Sequence, residues 1–191
     1  MKEGYKKVLV TGVAGFIGYH LTKRLLEEGI EVFGIDSMNG YYSTQIKYDR
    51  VELLKRFPNF GFSAVNICHR SDLDGLFAVN KFDLVIHLAA QAGVRYSLDA
   101  PHKYAESNLI GFVSIIEACR QHNITKFLYA SSSSVYGNRS DGPFHEDAAT
   151  DEPESLYAAT KKSNELIAYS YAKQFGIQTI GLRFFSVYGP W

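Results

Sequence analysis

Thr11-Gly-Val-Ala-Gly-Phe-Ile-Gly18 decides the fold. It follows the β-branched run Lys7-Val-Leu-Val-Thr11 and opens a segment of helical periodicity, so the chain passes from strand through glycine turn into helix. Gly12 permits the tight turn, Gly15 lets the backbone approach a pyrophosphate, and Gly18 allows the helix to pack closely on a strand. The helix amino terminus, where Phe16 and Ile17 sit, supplies unpaired N–H groups and a positive dipole end to phosphates. A second strand, Glu31-Val-Phe-Gly-Ile-Asp36, ends on a carboxylate that can accept hydrogen bonds from an adenosine ribose. No arginine or lysine immediately follows it (Ser37, Met38, Asn39), so a 2′-phosphate would meet negative charge and NAD is favoured over NADP. Singly, these glycines could be ordinary turn residues. Strand, glycines, helix, strand and acid in that order meet every contextual test of a dinucleotide site.

Outward from this unit the pattern repeats. The spacing predicts helices over 15–28 (Phe16, Ile17, His20, Leu21 and Leu25 at helical spacing, Gly29 as stop), 44–57, 71–79, 101–121 and 155–175. Strands are expected over 60–67, 83–88, 126–131 and 177–184, with a loop rich in Asp, Gly, Pro and Glu over roughly 138–154. The run 83–88 is apolar throughout, as in a strand buried on both faces. Alternating strands and helices imply right-handed crossovers and an α/β, Rossmann-type doubly wound, mostly parallel sheet.

Bulk properties narrow the field. A chain of 191 residues, 46% hydrophobic and 21% charged, fits one domain with a sizeable core. Twenty basic residues balance twenty acidic ones, which gives no reason to expect nucleic acid or an anionic membrane as partner. Residues 1–7 lack the apolar stretch of a signal peptide, and no apolar run of about 18 residues occurs in the sequence, so neither a leader nor a membrane span is expected in it. Cys68 and Cys119 have no metal-ligand spacing and are expected to be buried thiols in a reducing, cytoplasmic setting. No metal site is expected. Thirteen tyrosines and thirteen phenylalanines read mostly as core and cleft lining.

A second constellation carries chemistry. In Tyr157-Ala-Ala-Thr-Lys161 a phenol and an ammonium share one helical face, and a nearby cation would lower the tyrosine pKa towards the operating pH. The tyrosine could then act as acid and base towards a hydroxyl. Alone, such a pair is usually a surface feature. It gains weight because a strand ending in Ser131-Ser-Ser-Ser134 precedes it, and hydroxyls at the carboxyl end of a parallel strand face the ligand crevice. At least one of these serines is expected to cap nearby backbone instead. Arg95 and Arg183 are candidate anion contacts, Arg183 equally a pin for local backbone, and His87 reads as a satisfied core histidine.

These residues, with His87-Leu-Ala-Ala90, Asn108-Leu-Ile-Gly111, Val135-Tyr-Gly137 and Arg183-Phe-Phe-Ser-Val-Tyr-Gly-Pro190, make the chain resemble the extended short-chain dehydrogenases/reductases, the NAD-dependent epimerase/dehydratase group. The resemblance implies Ser132, Tyr157 and Lys161 as catalytic triad, with Lys161 also holding the nicotinamide ribose. It implies Gly12, Gly15, Phe16, Ile17, Gly18, Asp36, Leu88, Ala89, Ala90 and Asn108 as further cofactor contacts. Asn66-Ile67 falls where the group usually has an aspartate and an aliphatic residue beside the adenine.

The resemblance also implies a reaction: a 4-keto sugar nucleotide formed by hydride loss to NAD. Dehydratases and decarboxylases of the group carry acidic residues just after the catalytic hydroxyl, whereas here Ser133 and Ser134 stand there, which favours epimerisation. Tyr41-Tyr42, Gln91-Ala-Gly-Val-Arg-Tyr-Ser97 and Phe184 through Trp191 resemble the UDP-glucuronate 4-epimerases in particular. Ser132, Ser133, Ser134 and Ser186, with Arg95 and Tyr157, are then the expected sugar contacts; hydroxyl donors could hold a carboxylate without a buried counter-ion. A UDP-glucose epimerase, another nucleotide-sugar dehydratase, or a module that only binds NAD are the alternatives. The abrupt ending at Gly189-Pro-Trp191 leads us to expect residues 1–191 to be the NAD-binding domain, with a substrate-binding lobe beyond. Apolar residues on more than one face of the two long helices (Phe112, Ile115, Ile116; Leu166, Ile167, Tyr169) suggest a homodimer through a four-helix bundle, as is common in the group.

Overall fold

The computed structural model describes residues 4–139 and 143–191. In chain order the elements are β1 (Lys7–Thr11), α1 (Phe16–Glu27), β2 (Glu31–Asp36), α2 (Thr44–Leu54), β3 (Phe60–Ala64), α3 (Arg70–Val79), β4 (Leu84–His87) and α4 (Tyr96–Asp99). They continue with α5 (Pro101–Tyr104), a π-helical stretch (Ala105–Ile110), α6 (Gly111–Gln121), β5 (Lys126–Ser132), a 3₁₀ turn (Ser133–Tyr136), α7 (Leu156–Phe175) and β6 (Gln178–Phe184). The strands form one sheet in the order β3-β2-β1-β4-β5-β6, and every pairing is parallel. This is the doubly wound arrangement that the alternation of strands and helices predicts, with its switch point between β1 and β4.

One apolar cluster fills each face of the sheet. Leu9, Ile35, Val85 and Phe127 pack beneath α3, α6 and α7, where Leu73, Phe112, Ile115, Ile116 and Ala168 are buried. Val8, Val10, Val32 and Ile86 pack beneath α1 and α2 with Tyr19, Leu26 and Leu54. Phe112, Ile115 and Ile116, expected to help form a second apolar face, are therefore consumed by this chain's own core. Ile110, Val113, Leu166 and Tyr169 are the exposed apolar residues of that region.

Several boundaries and faces differ from the sequence expectation. Helix α1 buries Gly18, Tyr19, Thr22 and Leu26 and not the stripe through Leu21 and Leu25. The reason is Gly18: it must lie against the Gly12 carbonyl, so residues four apart from it turn inwards and Phe16 and Ile17 turn to the cleft. Helix α2 ends at Leu54, three residues before its expected end, and β3 ends at Ala64, also three before. The expected helix over 101–121 is helical throughout but widens into the π stretch in its middle. Helix α4 and the 3₁₀ turn are short elements that periodicity does not reveal. The expected loop over 138–154 contains no helix or strand in its described residues; 140–142 lie outside them. Cys119 is buried, but Cys68 is only half-buried, its Sγ donating to the Glu106 carbonyl at 3.3 Å. Among the described residues, no helix is long and apolar enough to cross a membrane and no cluster of potential metal ligands occurs.

Candidate active site

At the carboxyl ends of β1, β2, β4 and β5 lies a cavity of about 470 Å³. The glycine turn forms its floor. Gly12 adopts φ +73°, and a Cβ there would come within 2.7 Å of the Ala89 amide nitrogen. A Cβ on Gly18 would overlap the Gly12 carbonyl oxygen. No side chain caps the amino terminus of α1, so its first N–H groups remain for a ligand. Gly15, Phe16, Ile17 and Asp36 line the cavity, as do Asn66 and Ile67 and the run Leu88-Ala89-Ala90 after β4. Asn66 Oδ1 accepts from the Cys68 amide at 3.0 Å, closing a turn that faces Ile67 inwards. The cradle has the shape and donors that an adenine dinucleotide requires: unpaired amides for the pyrophosphate and an acid for the ribose.

Thr11 joins this floor to the strand beside it. Its hydroxyl accepts from the Ala89 amide at 3.1 Å and lies 2.8 Å from His87 Nδ1. Burial, reinforced by the Lys161 charge, lowers the His87 pKa to about 3, so the ring is neutral and serves as a satisfied core group. Asn108 departs from expectation. Its Oδ1 accepts from the Gln91 amide at 2.7 Å, and its Nδ2 donates to the Gln91 carbonyl and the Thr160 hydroxyl, both at 3.1 Å. With both polar atoms so engaged and its side chain away from the cavity, Asn108 is a positioning residue. It ties the loop after β4 to α7, and the π stretch supplies the extra residue that turns it inwards.

The other end of the cavity gathers Ser131, Ser132, Tyr157 and Lys161. Ser155 caps α7 by accepting from the Ala158 amide at 3.1 Å, which sets Tyr157 in the first turn and Lys161 one turn deeper. Lys161 Nζ is buried, donates to the Ala130 carbonyl at 2.8 Å, and lies 6.0 Å from the centre of the Tyr157 ring. Burial lowers its pKa from 10.5 to about 8. The Tyr157 phenol is raised by burial, opposed by the Ser132 hydroxyl, so the expected depression by Lys161 is not present. The lysine is turned to Ala130, and desolvation of the phenolate prevails.

The serines divide their work. Ser131 donates to Glu165 Oε1 at 2.5 Å. Ser132 Oγ accepts from the Ser134 amide at 3.2 Å and donates to Ser134 Oγ at 3.1 Å, so the expected capping role falls partly on the residue that also lines the cavity. Ser133, Ser134 and the exposed Ser186 do not line it, and neither does the exposed Arg95. Arg183 is a pin: it grips Glu165 through Nε at 2.9 Å and Nη2 at 3.0 Å, donates to the Glu146 carbonyl at 3.0 Å, and lies 4.7 Å from the Tyr136 ring centre. Burial pushes the Glu165 carboxyl up, but Arg183 and Ser131 outweigh it and the net shift is downwards.

Two functional-looking residues escaped the sequence reading. Lys47 and Arg50 on α2 are both buried against the cavity. Lys47 Nζ lies 3.5 Å from Asp36 Oδ1 and donates to Asn39 Oδ1 at 3.0 Å. Although no cation follows Asp36 directly in sequence, one reaches it in space. The inward signal was available in the spacing: Lys47, Arg50, Val51 and Leu54 share one face of α2.

Fold and cleft together define a doubly wound dinucleotide-binding domain with a Ser/Tyr/Lys group beside the cofactor cradle. The profile of the NAD dependent epimerase/dehydratase family matches residues 8–191. The chain belongs to that family. It is 50% identical over 185 residues to Protein CapI of Staphylococcus aureus, covering 97% of this chain and 55% of that protein. It is 49% identical over 185 residues to UDP-glucuronate 4-epimerase 2 of Arabidopsis thaliana, covering 96% and 42% respectively. Among solved structures it resembles UDP-glucuronic acid 4-epimerase from Bacillus cereus in complex with UDP-glucuronic acid and NAD, with TM-score 0.89 and 39% identity, over 96% of this chain and 58% of that one. The chain thus spans about half the length of the curated relatives it matches.

Proposed function

We propose that this chain is the cofactor-binding, catalytic-residue-bearing domain of an NAD-dependent nucleotide-sugar 4-epimerase that interconverts UDP-glucuronate and UDP-galacturonate. The observation that carries this reading is the convergence of Ser132, Tyr157 and buried Lys161 at one end of a cavity whose other end is the glycine cradle and Asp36. NAD, when bound, supplies a hydride acceptor. Asp36, Asn66 and Ile67 would hold the adenosine half, the amides of α1 the pyrophosphate, and Lys161 the nicotinamide end. Tyr157, hydrogen-bonded through Ser132 to the sugar 4-hydroxyl, takes its proton as the carbon is oxidised and returns one when the keto group is reduced on the other face. Lys161, with its lowered pKa, is easily moved between charge states and stabilises the phenolate once a ligand draws it from Ala130.

The preference for epimerisation is supported by the residues beside this group: serines at 133 and 134, with Glu165 turned away into its ion pair with Arg183. Asp36 is the sole acidic residue lining the cavity among those described, and it lies at the adenosine end. An elimination of water would need an acid near the sugar. Of the serines expected to hold the glucuronate carboxylate, Ser132 lines the cavity, and a homodimer is assigned to the exposed surface of Ile110, Val113, Leu166 and Tyr169. The relatives that share this pattern include an enzyme solved with UDP-glucuronic acid and NAD, which supports the choice of sugar.

Calorimetric titration of the 191-residue chain tests the reading. NAD is expected to bind, while UDP-glucuronate binds weakly or not at all, because this domain holds the cofactor and a further lobe holds the uridine. Absence of NAD binding by folded protein refutes the cofactor assignment; turnover of UDP-glucose in preference to UDP-glucuronate by the longer enzyme refutes the sugar assignment. Light scattering on the same sample should report a dimer, and a monomer at all concentrations overturns that part.

A further inference from the structure

Asp36 does not face the ribose position alone. Lys47 Nζ lies 3.5 Å from its Oδ1, and Arg50 reaches the same corner of the cavity. Each of the two cations is 5% exposed. Arg50 donates to the Ala14 carbonyl at 3.0 Å and to the Tyr42 hydroxyl at 3.2 Å, and also bonds the Trp191 carbonyl. Its Nε, buried, has no partner among the described residues. Lys47 sits 5.0 Å from the centre of the Tyr42 ring, so one tyrosine braces both cations. The neutral acceptors Asn39, Ala14 and Tyr42 satisfy hydrogen bonds but not charge. Among the described side chains that line this desolvated cavity, Asp36 is the one carboxylate beside the two cations Lys47 and Arg50, an arrangement in which an added anion is favoured.

We propose that Lys47 and Arg50 are cofactor-specificity residues. They form a ready-made site for a phosphate monoester on the adenosine ribose, which the single charge of Asp36 keeps closed. In this arrangement NAD is chosen over NADP because Asp36 accepts from the ribose hydroxyls and repels a 2′-phosphate. The surrounding field, taken without Asp36, is that of an NADP site. Asp36 Oδ1 also accepts from the Met38 amide at 2.9 Å, which fixes the turn after β2. The inference rests on the dinucleotide reading of the cavity, and it assigns that reading's selectivity to α2 as much as to the end of β2.

The test is binding of NAD and NADP to the 191-residue chain, followed by calorimetry, in Asp36→Asn and in the double variant Asp36→Asn/Lys47→Met. Asparagine keeps the acceptor for the Met38 amide, so the turn after β2 is retained, and thermal melting checks the fold. Asp36→Asn is expected to shift the NADP-to-NAD affinity ratio by about 100-fold towards NADP, with the gain shrinking at high salt. Adding Lys47→Met should remove about tenfold of the NADP gain while changing NAD affinity by no more than about threefold. Arg50→Lys in the Asp36→Asn background, which keeps the charge but loses the fork, should give an intermediate result. NAD binding retained by Asp36→Asn with no gain in NADP affinity overturns the inference and leaves the dinucleotide reading intact. An NADP gain that survives Lys47→Met and Arg50→Lys unchanged also overturns it, because the gain would then come from loss of repulsion alone. Failure of the unsubstituted, folded chain to bind either nucleotide refutes the dinucleotide reading, and the inference falls with it.

Discussion

One row of side chains crosses the sheet and registers a difference between its two halves. Val10, Ile86, Leu128 and Ile180 are successive partners on β1, β4, β5 and β6, so they point to the same face. Val10 is 0% exposed and Ile86 5%, Leu128 is partly buried, and Ile180 is 55% exposed. The nucleotide half, around β1 and β2, is closed beneath α1 and α2, and every backbone feature of the cofactor cradle is in place there. The half proposed to meet the sugar, around β5 and β6, ties its strands to α7 through Ser131, Arg183 and Glu165, yet leaves its apolar face uncovered. A cofactor site can be completed by backbone geometry within one domain. A sugar site needs side chains brought from several directions, and the polar groups gathered at that end of the cavity, Ser131, Ser132, Tyr157 and Lys161, come from β5 and α7 alone.

The severest way to break the closed half is Gly18→Ala. A methyl group there overlaps the Gly12 carbonyl, which is backbone and cannot swing aside, so α1 must lift from β1. The expected cost is about 3 kcal/mol or more by overpacking, with loss of measurable NAD binding. Gly176→Ala provides the contrast. Gly176 ends α7 at φ +70° but has nothing within 4 Å of a Cβ, so the cost should be only about 1 kcal/mol, from the left-handed backbone. Urea unfolding of both variants measures the pair. Equal losses would show that the tight turn is less confined than its geometry implies.

The closed half was also the more legible one in sequence, because its information is local. Glycines, a β-branched run and a terminal acid identify the cradle without knowledge of any distant residue. Legibility failed where the meaning of a side chain depends on what lies opposite it. Lys47 and Arg50 read as the solvated face of a charged helix, since cations on a surface helix usually are; only the fold puts them against Asp36. Arg183 offered anion contact or backbone pin, and Glu165, one turn beyond Lys161 on α7, decided for the pin. Asn108 carried the family pattern, but whether it touches cofactor or loop depended on the π stretch, which a period of 3.6 conceals. The serine run is visible in sequence as the end of a strand, but the division between Ser131 and Ser132 follows from which of them meets Glu165.

Lys161 sharpens the comparison by an intermediate amount. Its amine is buried at the expense of stability. With a folded pKa of about 8 against 10.5 in a free lysine, the unfolded chain binds the proton more tightly. The full penalty therefore applies below about pH 8 and is relieved as pH rises towards 10.5. Across that window the wild-type chain should gain up to about 3 kcal/mol relative to Lys161→Met, which has no charge to lose. At pH 7 the variant should be the more stable protein, offset in part by the lost bond to Ala130, while being unable to support proton transfer by Tyr157. Paired denaturation curves at pH 7 and pH 10 measure the difference between the two chains. A difference that does not change with pH would mean that Lys161 is better solvated than its burial indicates.

The smallest expected effect probes the open face itself. Ile86→Thr and Ile180→Thr are the same change in the same cross-strand row, two strands apart. At Ile86 the hydroxyl enters the cluster under α1, and loss of apolar burial plus an unsatisfied polar group should cost about 2–4 kcal/mol. At Ile180 the side chain is already more than half in water, threonine suits a strand as well as isoleucine, and the change should stay within about 0.5 kcal/mol. Thermal melts of the two variants compare the halves directly. If Ile180→Thr instead costs more than about 2 kcal/mol, or its effect grows with protein concentration, the β5–β6 face is buried in solution. The sugar half would then be closed by association where the nucleotide half is closed by its own helices.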